Sequence, residues 1–352
     1  MSKFAEFCAR YFKQYFEFHP TDAIYYGVEG YDHLLNDYSD KSFKAEKIFV
    51  KESLRKLGKI SPSELTADET IDYALLEGRL TIQSYEQAKE DYRLRQPDTY
   101  SPTEAIYILT VRATNDLAGN LLSRLNRTPA LIQQGIINLS RKDANPPKLW
   151  TDNAIEGAKG SISFLDSLAE HPKVQAAAID TNTLSAAIEK AKGAINDFAA
   201  FLERHLLPRS NASYAVGEEH FNLLLKKKHF LGHDAQSLLA FGDSLFAKTK
   251  LELEALADEL APGKGVEAVA RAIQENHPSS EEILSVYDKA MSAARDFVRD
   301  KKLVSFPAKE ELHVVHTPVF RRHEIPFAAY LSPSPRSEER RVGKECRSRW
   351  SP

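Results

Sequence analysis

Apolar residues recur at three-and-four spacing along almost the whole chain, so the sequence is built to pack helices against one another. The clearest stripe lies between residues 279 and 301, where Ile283, Tyr287, Ala290, Met291, Ala294, Phe297 and Val298 share one face. Asp288, Lys289, Arg295, Asp296 and Arg299 occupy the other. At the amino terminus Phe4, Phe7, Cys8, Tyr11, Phe12, Tyr15 and Phe16 follow the same rule, and the charges between them do not form the tripartite layout of a secretion signal.

The periodicity predicts helices over 2–18, 43–57, 66–93, 102–113, 115–126, 129–141 and 151–169. Five more follow over 182–206, 217–228, 234–260, 264–275 and 279–301. The expected fold is all-α, about a dozen helices in one continuous assembly without internal repeats. At most one or two short strands are expected near 312–317, where Leu312-His313-Val314-Val315-His316-Thr317 is rich in β-branched residues and precedes Pro318. Three helix starts carry a hydroxyl three residues before a Glu: Ser61 with Glu64, Ser101 with Glu104 and Ser279 with Glu282. Loops are expected over 141–147 and from Pro208 to Gly217, neither long enough to link independent domains.

The chain has 352 residues, 42% of them hydrophobic and 28% charged, enough for a sizeable core. A formal net charge of -3 gives no reason to expect nucleic acid or an anionic membrane as partner. No stretch approaches the roughly 20 apolar residues that span a bilayer, so a cytoplasmic protein without a membrane partner is expected. Only Cys8 and Cys346 are present, which excludes a disulfide framework.

From Arg336 to Pro352 the pattern stops. This stretch has six basic and three acidic residues and no apolar periodicity, so the remainder carries about -6. It resembles the conceptual translation of a short-read sequencing adapter and is expected to be a non-native tail. The organisation expected is therefore residues 1–335 as natural helical sequence and 336–352 as foreign.

Motifs for chemistry are sparse. His-Glu-x-x-His, which sets two imidazoles one helical turn apart on zinc beside a general base, is absent. Its nearest imitation is His323-Glu324-Ile325-Pro326-Phe327, where Phe327 replaces the second ligand and Pro326 breaks the helix. His229 and His233 are four apart, but Gly232 and the cap-like Asp234 set His233 in a turn. His313 and His316 would face opposite sides of a strand. Cys8 lies on an apolar helix face, where an inert thiol is expected. Gly263-Lys264-Gly265 lacks the Ser or Thr of a phosphate loop, and Lys226-Lys227-Lys228 suits the end of a helix.

The order of several short blocks carries a resemblance. His19-Pro20-Thr21-Asp22-Ala23 with Gly27 and Asp32 is similar to the opening of a bacterial family catalogued as domain of unknown function 885. So are Gly217, Phe221 and Leu225, followed by Phe230-Leu231 and Phe241-Gly242. The run from Phe297-Val298 through Leu303, Pro307, Val314-Val315 and Thr317-Pro318 to Pro326-Phe327-Ala328-Ala329-Tyr330 looks like the same family's approach to its active site.

That resemblance implies a helical, cleft-shaped zinc peptidase of the gluzincin kind, with zinc and a peptide substrate expected for the full-length parent. Its His-Glu segment is expected soon after Tyr330, so no metal ligand, catalytic residue or cofactor is assigned within this chain, which is expected to be inactive as it stands. His316, Arg321 and Tyr330 are the candidate cleft-facing groups. The alternative is a helical scaffold or peptide-binding protein without catalysis.

Overall fold

The computed structural model describes residues 2–306, 312–322, 325 and 328–331. The tail from Arg336 to Pro352, Pro307, the His323-Glu324 pair and Pro326-Phe327 lie outside them. The fold is all-α, with twelve α-helices and no strand among the described residues. The chain divides into two units, residues 1–216 with 317–352 and residues 217–316. The division falls at the end of the Pro208 to Gly217 loop, so that short loop separates two units of what the periodicity reads as one assembly.

The first unit holds α1 (Lys3–Phe18), α2 (Asp40–Leu57) and α3 (Ala67–Lys89), then α4 (Thr103–Val111), α5 (Leu117–Leu139), α6 (Lys148–Ser167), α7 (Pro172–Ala176) and α8 (Thr181–Phe201). The aromatic face of α1 meets α2 and α3, burying Phe4, Tyr11, Tyr15, Phe16, Phe49 and Leu80 in one cluster. A second cluster joins α4, α5, α6 and α8 through Ile106, Leu109, Leu125, Leu165 and Ile188. A third collects Tyr100, Ile132, Leu139, Ile155 and Phe198.

Four sequence expectations change. The cap at Ser61 starts only a short 3-10 turn, Pro62–Glu64, because Leu65 is extended; the true start of α3 is a capping box between Thr66 and Glu69. The helices expected over 115–126 and 129–141 are one helix, α5, with Pro129 inside it. Residues 312–317 form no strand: β-branched content favours a strand only where a neighbouring strand supplies a ladder, and none does among the described residues. At the expected start near Ser279, Glu282 accepts from the Ser279 N–H and hydroxyl, but α12 begins a turn later.

The second unit holds α9 (Glu218–Lys227), α10 (Ala235–Leu260), α11 (Gly265–Gln274) and α12 (Ile283–Asp300). Asp234 and Ser237 form a capping box at the start of α10, which leaves His233 in the turn before it, 3.3 Å from the Ser237 hydroxyl. α10 packs against α9 and α11. Leu225 and Ala257 are the only buried residues among those described in this unit.

Chain from the carboxyl side belongs to the first unit, where a 3-10 turn, Val319–Arg321, packs on α6. Phe320 is buried, its ring 5.4 Å from those of Tyr107 and Phe164. Gly160 of α6 makes this approach possible, since a Cβ there would stand 2.7 Å from the Phe320 Cα. Gly160→Ala should therefore destabilise the protein by about 1–3 kcal/mol despite alanine's better helix propensity. Gly193→Ala, in α8 with open space around the missing Cβ, should stabilise it by about 0.5–1 kcal/mol. Urea unfolding midpoints check both signs.

Candidate functional site

α1 ends at His19, whose N–H closes onto the Tyr15 carbonyl at 2.9 Å, and Pro20 then opens a 3-10 turn through Asp22. This turn forms one wall of a cleft of about 170 Å³, lined by Thr21, Asp22, Tyr25, Leu35, Asn36, Tyr38, Thr99, Ser101, Glu104, Ala105 and Leu131. Asp22, Tyr25, Asn36 and Glu104 are among its polar residues; Leu35, Ala105 and Leu131 supply the apolar side.

The polar groups are held partly by neighbours outside the cleft and partly by one another. The Tyr15 hydroxyl donates to the Asp22 carboxylate and accepts from Arg79 at 2.7 Å, with the guanidinium 4.6 Å from the Tyr15 ring centre. Burial, reinforced by the charge of Asp22, raises the Tyr15 pKa, so the phenol remains a donor. The Thr21 N–H and hydroxyl donate to the Asn36 side-chain oxygen at 3.3 and 3.0 Å, and the Asn36 amide donates to the Tyr38 hydroxyl at 3.1 Å. His19 lies 2.9 Å from Glu46, which also accepts from Gln83 at 2.9 Å.

Glu104 sits in the first turn of α4, where the helix dipole favours a carboxylate. Its Oε1 accepts from the Tyr25 hydroxyl at 2.6 Å. Its Oε2 has no hydrogen-bond partner among the described residues and lies 3.6 Å from Arg321 Nη1. Burial and then the Glu104 charge raise the Tyr25 pKa, which keeps that phenol protonated as well. The cleft thus presents two carboxylates, each already receiving one tyrosine proton donor, beside a small apolar wall. Such a surface suits a ligand rich in N–H groups or carrying positive charge.

The structure places Arg321 against Glu104, on the rim of this group, through the docking of Phe320 on α6. Tyr330 belongs to the same unit and is 70% exposed. His316 is exposed and belongs to the second unit, so these three residues are not brought together within one unit. Asp22 was visible in the sequence only as part of the His19 to Ala23 block, and Glu104 only as an acid of a capping motif. Tyr25 carried no signal of its own, because its link to Glu104 spans 79 positions of sequence. The described residues contain no group of three His, Cys, Asp or Glu able to hold a metal ion. None of their helices is long and apolar enough to cross a membrane.

With the cleft built partly from the His19 to Ala23 block, the family comparison has a structural counterpart. The profile of the family described as "Bacterial protein of unknown function (DUF885)" matches residues 20–343. The chain belongs to this family. Among solved structures, that of a "putative lipoprotein of unknown function from Shewanella oneidensis" is similar, with a TM-score of 0.69 and 20% identity. The match covers 96% of this chain and 63% of that one, so this family member spans a little under two thirds of the length of that relative. At this identity the likeness concerns the fold alone. No curated protein matches the chain.

Two measurements follow from the geometry. Tyr25→Phe should cost about 1 kcal/mol in urea unfolding, since Glu104 loses its donor but stays partly solvated. Cys8, on the α1 face, has its pKa raised to about 11 by burial and then by Asp72 and Glu69. In a Cys346→Ser background, iodoacetamide at pH 8 should therefore alkylate Cys8 about 100-fold more slowly than an unperturbed thiol. The rate should keep rising with pH beyond pH 10.

Proposed function

We propose that this chain is the amino-terminal helical part of a zinc-dependent peptidase-like protein, in which it builds one side of a peptide-binding cleft. The observation that carries the reading is that Thr21 and Asp22 line the same cleft as Tyr25 and Glu104. Residues of the block that carries the family resemblance line this cleft, which supports the reading. The match to only 63% of the Shewanella relative's length is in keeping with a longer parent.

Zinc would polarise the scissile carbonyl and activate water in such an enzyme. The described residues do not fit that metal, for they bring no three ligands together. What these residues can do is bind and orient. Asp22 and Glu104 accept N–H groups of an extended or amino-terminal peptide segment, while Tyr15 and Tyr25 hold the carboxylates in place. Leu35, Ala105 and Leu131 provide contact for an apolar side chain. Arg321, beside Glu104, limits how much negative charge the cleft offers.

The test compares the 352-residue chain with the product of the uninterrupted reading frame beyond Tyr330. The former should contain no stoichiometric zinc by metal analysis and hydrolyse no peptide in a mixed peptide library. The latter should hold about one zinc per chain, as a three-ligand site requires, and cleave peptides. A complete product without zinc or cleavage would instead establish a helical scaffold.

A further inference from the structure

We propose that Arg321 is a tethered occupant of a cation position at Glu104, and that a primary ammonium group of a ligand displaces it on entering the cleft. This rests on the reading of the cleft as one that binds peptide, and it names the group recognised there and the residue that tunes the recognition.

The contact between Arg321 and Glu104 has the charges of a salt bridge without its closure. A guanidinium and a carboxylate that serve structure meet through N–H groups at about 2.7–2.9 Å, commonly two at once. Arg93 does this with Asp91, donating from Nε and Nη2 at 3.0 and 2.7 Å from a position that is 2% exposed. Arg321 Nη1 instead stands 3.6 Å from Glu104 Oε2, beyond hydrogen-bond reach, and its side chain is 34% exposed. Such a pair is worth little, so the guanidinium can leave for water. Oε2 itself is buried and receives no hydrogen bond from the described residues. A buried carboxylate oxygen retains its demand for a donor, and the cation at this distance answers only the charge.

The segment that carries Arg321 keeps the side chain near Glu104 without locking it. Phe320 is anchored against Tyr107 and Phe164 and lies over Gly160 of α6. The Arg321 N–H donates to the Pro318 carbonyl at 2.9 Å, which fixes its main chain. The adjacent Arg322 uses its Nε on the Thr317 carbonyl at 3.0 Å, within the same segment. Arg321 therefore has a fixed root and a long side chain whose charged end can turn from the carboxylate to water.

The lining selects what displaces it. Of the described residues that line the cleft, Asp22 and Glu104 are charged, and both are acids. The Tyr25 hydroxyl holds Glu104 Oε1 at 2.6 Å, which leaves Oε2 as the acceptor for an incoming donor. Leu35, Ala105 and Leu131 give contact to a short apolar group beside it. A volume of about 170 Å³ lies below the roughly 300–1,000 Å³ that encloses a whole drug-sized ligand, so the cleft takes one end of a longer molecule. An ammonium group is compact, carries three N–H donors and can approach closer than the tethered guanidinium. In a peptide it is either the amino terminus or a lysine side chain.

Ligand-observed NMR titration of the 352-residue chain at pH 6.5 tests this with leucinamide, N-acetyl-leucinamide and Nα-acetyl-lysinamide. At that pH an α-amino group, with a pKa of about 7.7–8.0, is mostly protonated. At least one of the two ammonium probes should bind, and N-acetyl-leucinamide should not. Arg321→Gln should tighten ammonium binding by about tenfold, the gain expected if the position is clear of Arg321 about one-tenth of the time. Arg321→Lys, which keeps the charge, should gain less. Glu104→Gln should abolish binding and cancel the gain from Arg321→Gln, a coupling that a merely structural Arg321 would not show. Urea unfolding of each variant establishes that it is folded. Preference for leucinamide identifies the amino terminus as the source and preference for Nα-acetyl-lysinamide the lysine side chain; either upholds the proposal. Equal or weaker ammonium binding in folded Arg321→Gln overturns it, as does N-acetyl-leucinamide binding as tightly as leucinamide. Zinc and cleavage in the complete protein without tightening in Arg321→Gln remove the tethered cation and leave the peptidase reading, and tightening without zinc or cleavage does the reverse.

Discussion

A guanidinium almost entirely out of water must have its N–H groups matched, and Arg93, 2% exposed, imposes that demand on the centre of the first unit. Its Nε and Nη2 donate to Asp91 at 3.0 and 2.7 Å, Nη2 also to Asp40 at 2.8 Å, and Nη1 to the Tyr38 carbonyl at 2.9 Å. The plane lies over the Phe43 ring at 4.1 Å. Burial works against the charge, but the hydrogen bonds to Asp91 and Asp40 more than offset it, so the pKa is raised. The main chain of the same residue closes the knot. The Arg93 carbonyl accepts from the Tyr100 hydroxyl at 2.8 Å, and Asn138 of α5 donates to both that hydroxyl and the Tyr38 carbonyl at 3.0 Å.

The cleft inherits its shape from this knot and from a second buried arginine. Arg93 and Asn138 together fix Tyr38, whose N–H also donates to Gln134 at 2.8 Å. Burial pushes the Tyr38 pKa up to about 12, so the phenol stays neutral as it accepts from Asn36. Arg124, fully buried on α5, donates to the carbonyls of Leu34 and Ala105 and so joins the chain before α2 to α4. Leu35, Asn36 and Tyr38 line one part of the cleft and Glu104 and Ala105 another, so both walls hang on interior cations. Losing either guanidinium would leave carbonyls or carboxylates without their donors, a larger cost than loss of packing alone.

Helix type was legible because the apolar period is a local property, and the fold class follows from it. The cap at Asp234 was legible for the same reason. α5 was misread because proline in a helix interior removes one hydrogen bond and costs about 3 kcal/mol, which outweighs any local preference. The correcting signal was present in a longer window: Leu121, Leu125, Thr128, Ile132, Gly135 and Leu139 alternate spacings of four and three straight through Pro129, and all are buried. Burial of that stripe offsets the lost bond. Across 312–317, by contrast, β-branched residues gave a local preference with no partner strand to express it. The cleft was legible only in part, since Asp22 lay in a recognised block while the pairing of Tyr25 with Glu104 is made by tertiary packing. Arg321 stands beside Glu104 because Phe320 finds a place over Gly160, a relation between residues 160 apart that no periodicity encodes.

α5 and α12 show how far such a period can be taken. Both have a continuous stripe, and in the sequence that of α12 is the plainer; yet the α5 stripe is in the core and the α12 stripe is wet. A stripe states what a helix is able to bury, and only a neighbour decides whether it does. Local interactions do not replace that neighbour. The ion pairs of α10 and α12 are worth about 0.2–0.5 kcal/mol each and the Asp234 capping box about 1 kcal/mol. Ordering the backbone costs roughly 1–2 kcal/mol per residue, which helical hydrogen bonds alone balance poorly over 18 or 26 residues. The first unit meets this cost with three apolar clusters, whereas the second has Leu225 and Ala257 as the buried residues among those described. The persistence of α12 as a helix therefore depends on what covers its stripe more than on the residues that write it.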